Sequence, residues 1–191
     1  MATTEPIRNK KQVRALASYC LRREQLRNHC LIVLGVHTAL RVGDLLRLTW
    51  DDVYDFRLEC VRETVFLIEE KTGKTKIIAL NRHAIHALSL YAREAAKRGR
   101  FLIENPRTKK AISRVQVYRI LRDTAEALQL PCRVSCHSLR KTFGYHAWKS
   151  GVSPAVIMEI YNHSSFAVTK RYLGVTQDDK NDVYLRLDFS V

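Results

Sequence analysis

The sequence predicts an α+β domain that is mainly helical and carries one small antiparallel β-sheet. Alternating runs rich in β-branched residues are confined to residues 54–80, and helical periodicity lies on both sides of them. A length of 191 residues with 46% apolar content fits one domain with a full hydrophobic core. No internal repeat, low-complexity tract or convincing linker divides the chain.

Residues 10–23 place Val13, Leu16, Ala17 and Cys20 on one stripe with arginines opposite. Residues 25–37 repeat the pattern with Leu26, Cys30, Val33, Leu34 and His37 as a more buried helix. A break at 38–41, with Arg41 at the corner, precedes a short helix over 42–48, and residues 50–53 read as the turn that leads out of it. Three β-runs follow, at 58–61, 65–68 and 76–80, with Lys71-Thr72-Gly73-Lys74 as the hairpin turn. Asn81 caps a helix to about residue 97 whose inner side is Ile85, Leu88, Ala92 and Ala95. Ser113 caps the next, with Val117, Ile120, Leu121, Ala125 and Leu128 buried and Pro131 closing it. A further helix starts at His137. Ser153-Pro154 sets a capping hydroxyl before a proline at the first helical position, so a helix runs to about Tyr161 and ends at Asn162. Thr176 with Asp179 caps a short C-terminal helix striped by Val183, Tyr184 and Leu187.

Lys plus Arg number 33 against 19 Asp plus Glu, a net +14 that speaks of partners: nucleic acid or an anionic membrane surface. The polar start resembles no signal peptide, and no run of eighteen apolar residues is present, so the expectation is a cytoplasmic protein with no membrane partner. Five scattered cysteines make no disulfide framework. Cys132, Cys136 and His137 lack a second pair at zinc spacing, and the expectation is no metal.

The densest functional signal runs from His137 to Tyr172. In His137-Ser138-Leu139-Arg140, positions three apart on a helix put the imidazole and the guanidinium on one face, a place for an anion. Leu139, Phe143 and Ala147 share another face and fasten the helix to a core, which predicts that the His/Arg face projects freely into a cleft.

Arg41 followed by Val42-Gly43-Asp44-Leu45, Lys71 at a hairpin, His137-x-x-Arg140, His163 in Asn162-His163-Ser164-Ser165, and Tyr172 after Thr169 together resemble the ordered signature of tyrosine recombinases, the phage-integrase family. No single piece is specific; their order and spacing over residues 41–172 carry the resemblance. It implies a catalytic domain over residues 1–174, a tail at 175–191, and absence from this chain of the N-terminal core-binding and arm-binding domains that relatives carry. It further implies double-stranded DNA as partner, a homotetramer on DNA with a monomer for the isolated domain, and no cofactor.

The groups themselves suit that chemistry. A phenol, with a pKa of ~10, is a poor nucleophile at neutral pH unless cations favour its phenolate. Attack of Tyr172 on a phosphodiester would load negative charge onto two non-bridging oxygens, which the guanidiniums of Arg41 and Arg140 can hold without a metal. The leaving 5′ oxygen needs a proton, which by resemblance Lys71 supplies; Lys74 in the same turn is an alternative, and Lys76 lies in the same hairpin. His137 would position or exchange protons, His163 would donate a further hydrogen bond to the phosphate, and by resemblance Asp44 supports the active site. The product is a 3′-phosphotyrosyl link that a 5′ hydroxyl can reverse without ATP.

Each residue alone has a plainer reading: Arg41 paired with Asp44 at a helix end, Lys71 solvated, His137 a cap, His163 a turn residue. Tyr172 is one of eight tyrosines; Tyr19, Tyr91 and Tyr118 read as packing, and Tyr145 and Tyr161 stand closest to the motif. Asn162 replaces the family's usual glycine and suits a left-handed cap, and Lys141 stands where many relatives have histidine. The tail packs either on its own domain or on a neighbouring subunit. Two other functions fit parts of the pattern: a helix-turn-helix DNA-binding regulator built on residues 153–173, and a type IB topoisomerase sharing the same chemistry.

Overall fold

The chain folds, in a computed structural model that describes residues 4–94 and 99–186, as ten helices and four short strands among the described residues. Helix α1 (Lys10–Arg22) starts where Asn9 Oδ1 accepts the amide of Lys11 at 2.8 Å. Helix α2 (Leu26–His37) is buried from His29 to Val36 because α1, α5 (Arg82–Glu94) and α7 (Cys136–Lys149) pack around it. After α3 (Val42–Arg47), residues 50–53 form one helical turn, α4 (Trp50–Val53), where a plain turn was expected. Asp52 Oδ2 nucleates it by accepting from both the amide and the hydroxyl of Thr49, each at 2.7 Å.

The single sheet expected for this region is two separate antiparallel pairs. β1 (Tyr54–Asp55) pairs with β2 (Cys60–Val61), and β3 (Thr64–Ile68) pairs with β4 (Thr75–Ala79). Asp55 Oδ1 accepts the amides of Arg57 (2.9 Å) and Leu58 (3.1 Å), a tight turn that folds β2 back onto β1 instead of onto β3. In the longer pair Leu67 faces Lys76 and Val65 faces Ile78, so Val65, Leu67, Glu69, Lys76 and Ile78 share the inner face. Phe66, Ile68 and Ile77 are exposed on the outer face.

Asn81 caps α5 through bonds from the amides of His83 and Ala84; its continuation to residue 97, with Ala95, lies outside the described residues. Helix α6 (Arg114–Ala127) starts in a reciprocal box between Ser113 and Gln116. α8 (Pro154–Tyr161), α9 (Phe166–Leu173) and α10 (Gln177–Arg186) complete the chain. Thr176 and Asp179 cap α10 as expected, Lys149 ion-pairs with Asp179, and Leu187 lies outside the described residues.

Helix α7 sits between two cores. On one side lies the main core of α1, α2, α5, α6 and the inner hairpin face; Gly35 brings α2 close, since a Cβ there would come within 2.5 Å of Leu139 Cδ1. On the other lies a small cluster of Ala39, Ile157, Tyr161 and Leu173, against which Phe143, Ala147 and Tyr172 pack. A Cβ on Gly144 would collide with the Tyr161 hydroxyl, so that glycine lets α8 settle onto α7. A segment before α1 straps across α7: the amide of buried Ile7 donates to Thr142 Oγ1 at 2.9 Å, and its carbonyl meets His146 Nε2 at 3.0 Å. These contacts fix the helix that carries Arg140.

Candidate active site

Two guanidiniums from distant parts of the chain meet at one atom. Arg41, at the N-cap of α3, and Arg140, on α7, both donate to the carbonyl oxygen of Tyr161, at 3.3 Å and 2.8 Å. That carbonyl belongs to the last residue of α8, which stops because Asn162 takes the left-handed conformation at φ 51°. Arg140 also donates to the carbonyl of Ala39, another residue with positive φ (56°), and its Nε has no hydrogen-bond partner among the described residues. Backbone strain at Ala39 thus aims a carbonyl at the arginine.

Arg140 is only 1% exposed, which corrects the expectation that the His137/Arg140 face stands free in a cleft. The physical reason is that α8 and α9 lie over this side of α7. The Arg140 guanidinium sits 4.4 Å from the Tyr161 ring centre and 6.0 Å from that of Tyr172. Burial, and then the like charge of Arg41, push its pKa down to about 10. His137, one turn earlier on α7, clears that cover and is exposed. Loss of hydration on its inner side, then Lys141, Arg140, Arg114 and Arg41, lower its pKa.

His163 and Tyr172 join the arginines within the same chain. Their rings lie 4.8 Å apart, and His163 Nδ1 meets the buried Thr169 hydroxyl at 3.0 Å, which fixes the ring. Lys141 Nζ stands 5.6 Å from the centre of the Tyr172 ring. Tyr161 is unavailable as a nucleophile, because it is fully buried and its hydroxyl donates to the Arg140 carbonyl at 2.6 Å. Tyr118 is exposed and not packed, since it is offset from the Val117, Leu121, Ala125 stripe that α6 buries. Asp44 is buried; its Oδ1 accepts the Glu70 amide at 2.9 Å and its Oδ2 lies 3.9 Å from Arg41 Nη1. Lys71 is not in contact with this group: it stands exposed in the hairpin turn, and its charge reaches His163.

Two further residues, Glu69 and Lys76, belong to the cluster. Glu69 is 0% exposed, with Oε1 2.8 Å from Arg41 Nη1 and 3.7 Å from Lys76 Nζ. The Arg41 contact is an ion pair in which the N–H is not directed along the line of approach. Glu69 Oε2 accepts from Asn162 Nδ2 (3.0 Å) and the Thr72 hydroxyl (2.8 Å). Burial pushes the Glu69 carboxyl up, but the bonds from Asn162 and Thr72 and the Arg41 charge outweigh it and hold it at about 2. Lys76 donates to the carbonyl of Ile160 at 2.6 Å; burial, then the charge of Arg140, bring it down to about 8. Strand alternation puts Glu69 on the face of Val65 and Leu67, but does not by itself say that this face is the inner one.

The cluster has a measurable acid sensitivity. Burial, then Arg140 and Arg41, push His163 down from an ordinary 6.5 to about 4. Between those values the unfolded chain binds a proton that the folded chain refuses, so stability falls as pH drops from 6.5 to 4. Glu69 works lower: its contribution is present above 4.5 and is lost between 4.5 and 2. His163→Gln is expected to reduce the loss of stability between pH 7 and pH 5, read from urea midpoints, and to leave the steeper loss below 4.5 in place.

A family model described as the phage integrase family matches residues 8–178. The chain is 33% identical over 184 residues to a probable integrase/recombinase, YoeC, of Bacillus subtilis, covering 96% of this chain and 97% of that protein. It is 30% identical over 166 residues to the tyrosine recombinase XerD of Mycobacterium tuberculosis, covering 83% of this chain and 51% of the relative. It therefore spans nearly the whole of the first and about half of the second. Among solved structures it is similar to the XerH site-specific recombinase bound to its palindromic difH substrate in a post-cleavage complex. That match has a TM-score of 0.75 and 18% identity, over 93% of this chain and 51% of that one. The last likeness shows a shared mainly helical fold with small antiparallel sheets.

Proposed function

The chain belongs to the phage integrase family, and on that premise we propose that it is a site-specific recombinase that cuts and rejoins double-stranded DNA through Tyr172, in the integration or excision of a mobile element. The observation that carries this reading is the convergence of Arg41 and Arg140 on one oxygen, beside the Tyr172 ring of the same chain. A scissile phosphate would draw on the same two guanidiniums beside the carbonyl bonds they keep, with the Nε of Arg140 among the N–H groups left for it. The side chain of Arg41 is 21% exposed and is met first; Arg140 follows when the Tyr172 ring moves off it toward the phosphorus.

In the cutting step the Tyr172 oxygen bonds to phosphorus, the bond to the 5′ oxygen breaks, and the phenol proton leaves toward His137 or water. Lys71 gives the 5′ oxygen its proton. Charge gathering on the non-bridging oxygens is held by the two guanidiniums, with a further hydrogen bond from His163. Rejoining runs the same step backwards with a 5′ hydroxyl of a second duplex, so no bond energy has to be supplied. Residues 1–174 act as the catalytic domain, and the tail from 175 docks on a neighbouring subunit of a DNA-bound homotetramer. Val183, Tyr184 and Leu185, which are 56%, 78% and 84% exposed on α10, support that docking.

A nicked suicide duplex tests the reading, because the short 5′-hydroxyl fragment diffuses away and traps the link. A denaturing gel is expected to show protein joined to DNA, with the peptide containing Tyr172 carrying the nucleotide. A helix-turn-helix regulator leaves no joined band; relaxation of supercoils without strand exchange between duplexes would make the chain a topoisomerase.

A further inference from the structure

We propose that Glu69 is a positioning residue for the reaction: one buried carboxylate sets the hairpin that carries Lys71 in register with Arg41 and with the turn that carries His163. This rests on the reading of Lys71 as the proton donor given above. The carboxylate touches all three segments. Its Oε1 pairs with Arg41 at 2.8 Å, and its Oε2 takes the Asn162 side-chain amide at 3.0 Å, one residue before His163. The same oxygen takes the Thr72 hydroxyl at 2.8 Å, one residue after Lys71. Its backbone closes the turn as well, since the Glu69 amide donates to Lys74 O (3.0 Å) and the Gly73 amide donates to Glu69 O (2.9 Å).

The reason for a charged group here is the balance of donors. Asn162 and Thr72 donate to Oε2 while the cations of Arg41 and Lys76 face Oε1, and only a carboxylate meets both demands. The Asp44 bond to the Glu70 amide ties the hairpin tip to α3, and Glu69 adds the tie from that tip to the Asn162 side chain beside His163. Glutamine in place of Glu69 would turn an N–H₂ toward one of these donors and release at least one of the segments. Asn162 is part of the same device: glycine would keep the left-handed cap at φ 51° but lose the bond to Glu69.

A sulfur atom in place of the 5′-bridging oxygen separates this role from fold support. A thiolate leaves without a proton, because thiols ionise near pKa ~8.5, far below an alcohol. On the ordinary duplex Glu69→Gln is expected to slow adduct formation by about 10²-fold, the range of a lost general acid. On the sulfur-bridged duplex it should return to within about threefold of wild type. Asn162→Gly should show a smaller loss with the same recovery, and it carries the test if Glu69→Gln fails to melt cooperatively. Glu69→Gln equally slow on both duplexes, or unimpaired on the ordinary one, would overturn the proposal. Lys71→Ala is the companion measurement: slow on oxygen and recovered on sulfur, it upholds the donor assignment. Unrecovered on sulfur, Lys71→Ala removes that assignment, and the role given to Glu69 with it.

Discussion

Arg140→Lys is expected to slow formation of the phosphotyrosyl adduct by about 10³-fold while affinity for duplex DNA changes by no more than about threefold. Lysine keeps the charge and loses the fork. Arg140 spends one Nη on the carbonyl of Ala39 and the other on that of Tyr161, and only a group with several fixed N–H bonds can hold both and still donate to phosphate. A single ammonium must choose. If it stays with the carbonyls, the transition-state charge loses a donor; if it turns to the phosphate, a buried carbonyl is left unpaired at about 1–3 kcal/mol. The fold should therefore weaken in urea at the same time as the rate falls. Duplex affinity comes from the whole basic surface, a net charge of +14, and one lysine-for-arginine change leaves that sum untouched. Single-turnover adduct formation on the suicide duplex, a binding titration and a urea melt read the three quantities. A lysine variant as fast as wild type would reduce Arg140 to a prop for two carbonyls.

What the sequence displays of this site is its local part. Asn81, Ser113 and Ser153-Pro154 mark helix starts through bonds made within four residues, so their signals survive without the rest of the fold. Asn162 is equally legible, because a left-handed cap is a property of one residue. The depth of Arg140 is not. Helical spacing puts it on a face with His137, but only the packing of α8 and α9 decides that one is covered and the other exposed. Glu69 is concealed for another reason. Phe66, Ile68 and Ile77 on the outer face of the hairpin are as apolar as Val65, Leu67 and Ile78 inside, so alternation offers no contrast by which to choose the buried side. The division into two strand pairs turns on Asp55, whose side chain folds a two-residue strand too short to announce itself.

Tyr172→Phe is expected to abolish the DNA-linked band altogether, whereas Tyr161→Phe should retain it and lose stability instead. Each change removes one oxygen from rings whose centres lie 5.3 Å apart, so composition, size and neighbourhood are nearly matched. The difference lies in what the oxygen touches. The Tyr161 hydroxyl is buried and donates to the carbonyl of Arg140; its loss leaves that carbonyl short of a partner, and the melt should fall by about 1 kcal/mol. Its ring, which faces the Arg140 guanidinium, stays in place, so the arginine keeps its seat and the chemistry proceeds. Tyr172 packs by its ring against His163 and Arg140, and phenylalanine keeps those contacts, so the variant should melt and bind DNA as wild type does. What it lacks is the atom that bonds to phosphorus, and no neighbouring residue can substitute, since the nearest phenol is locked in the core. A DNA-linked band surviving in Tyr172→Phe would place the nucleophile elsewhere in the chain, while loss of the band in both variants with both folds intact would mean that the Tyr161 hydroxyl acts in catalysis.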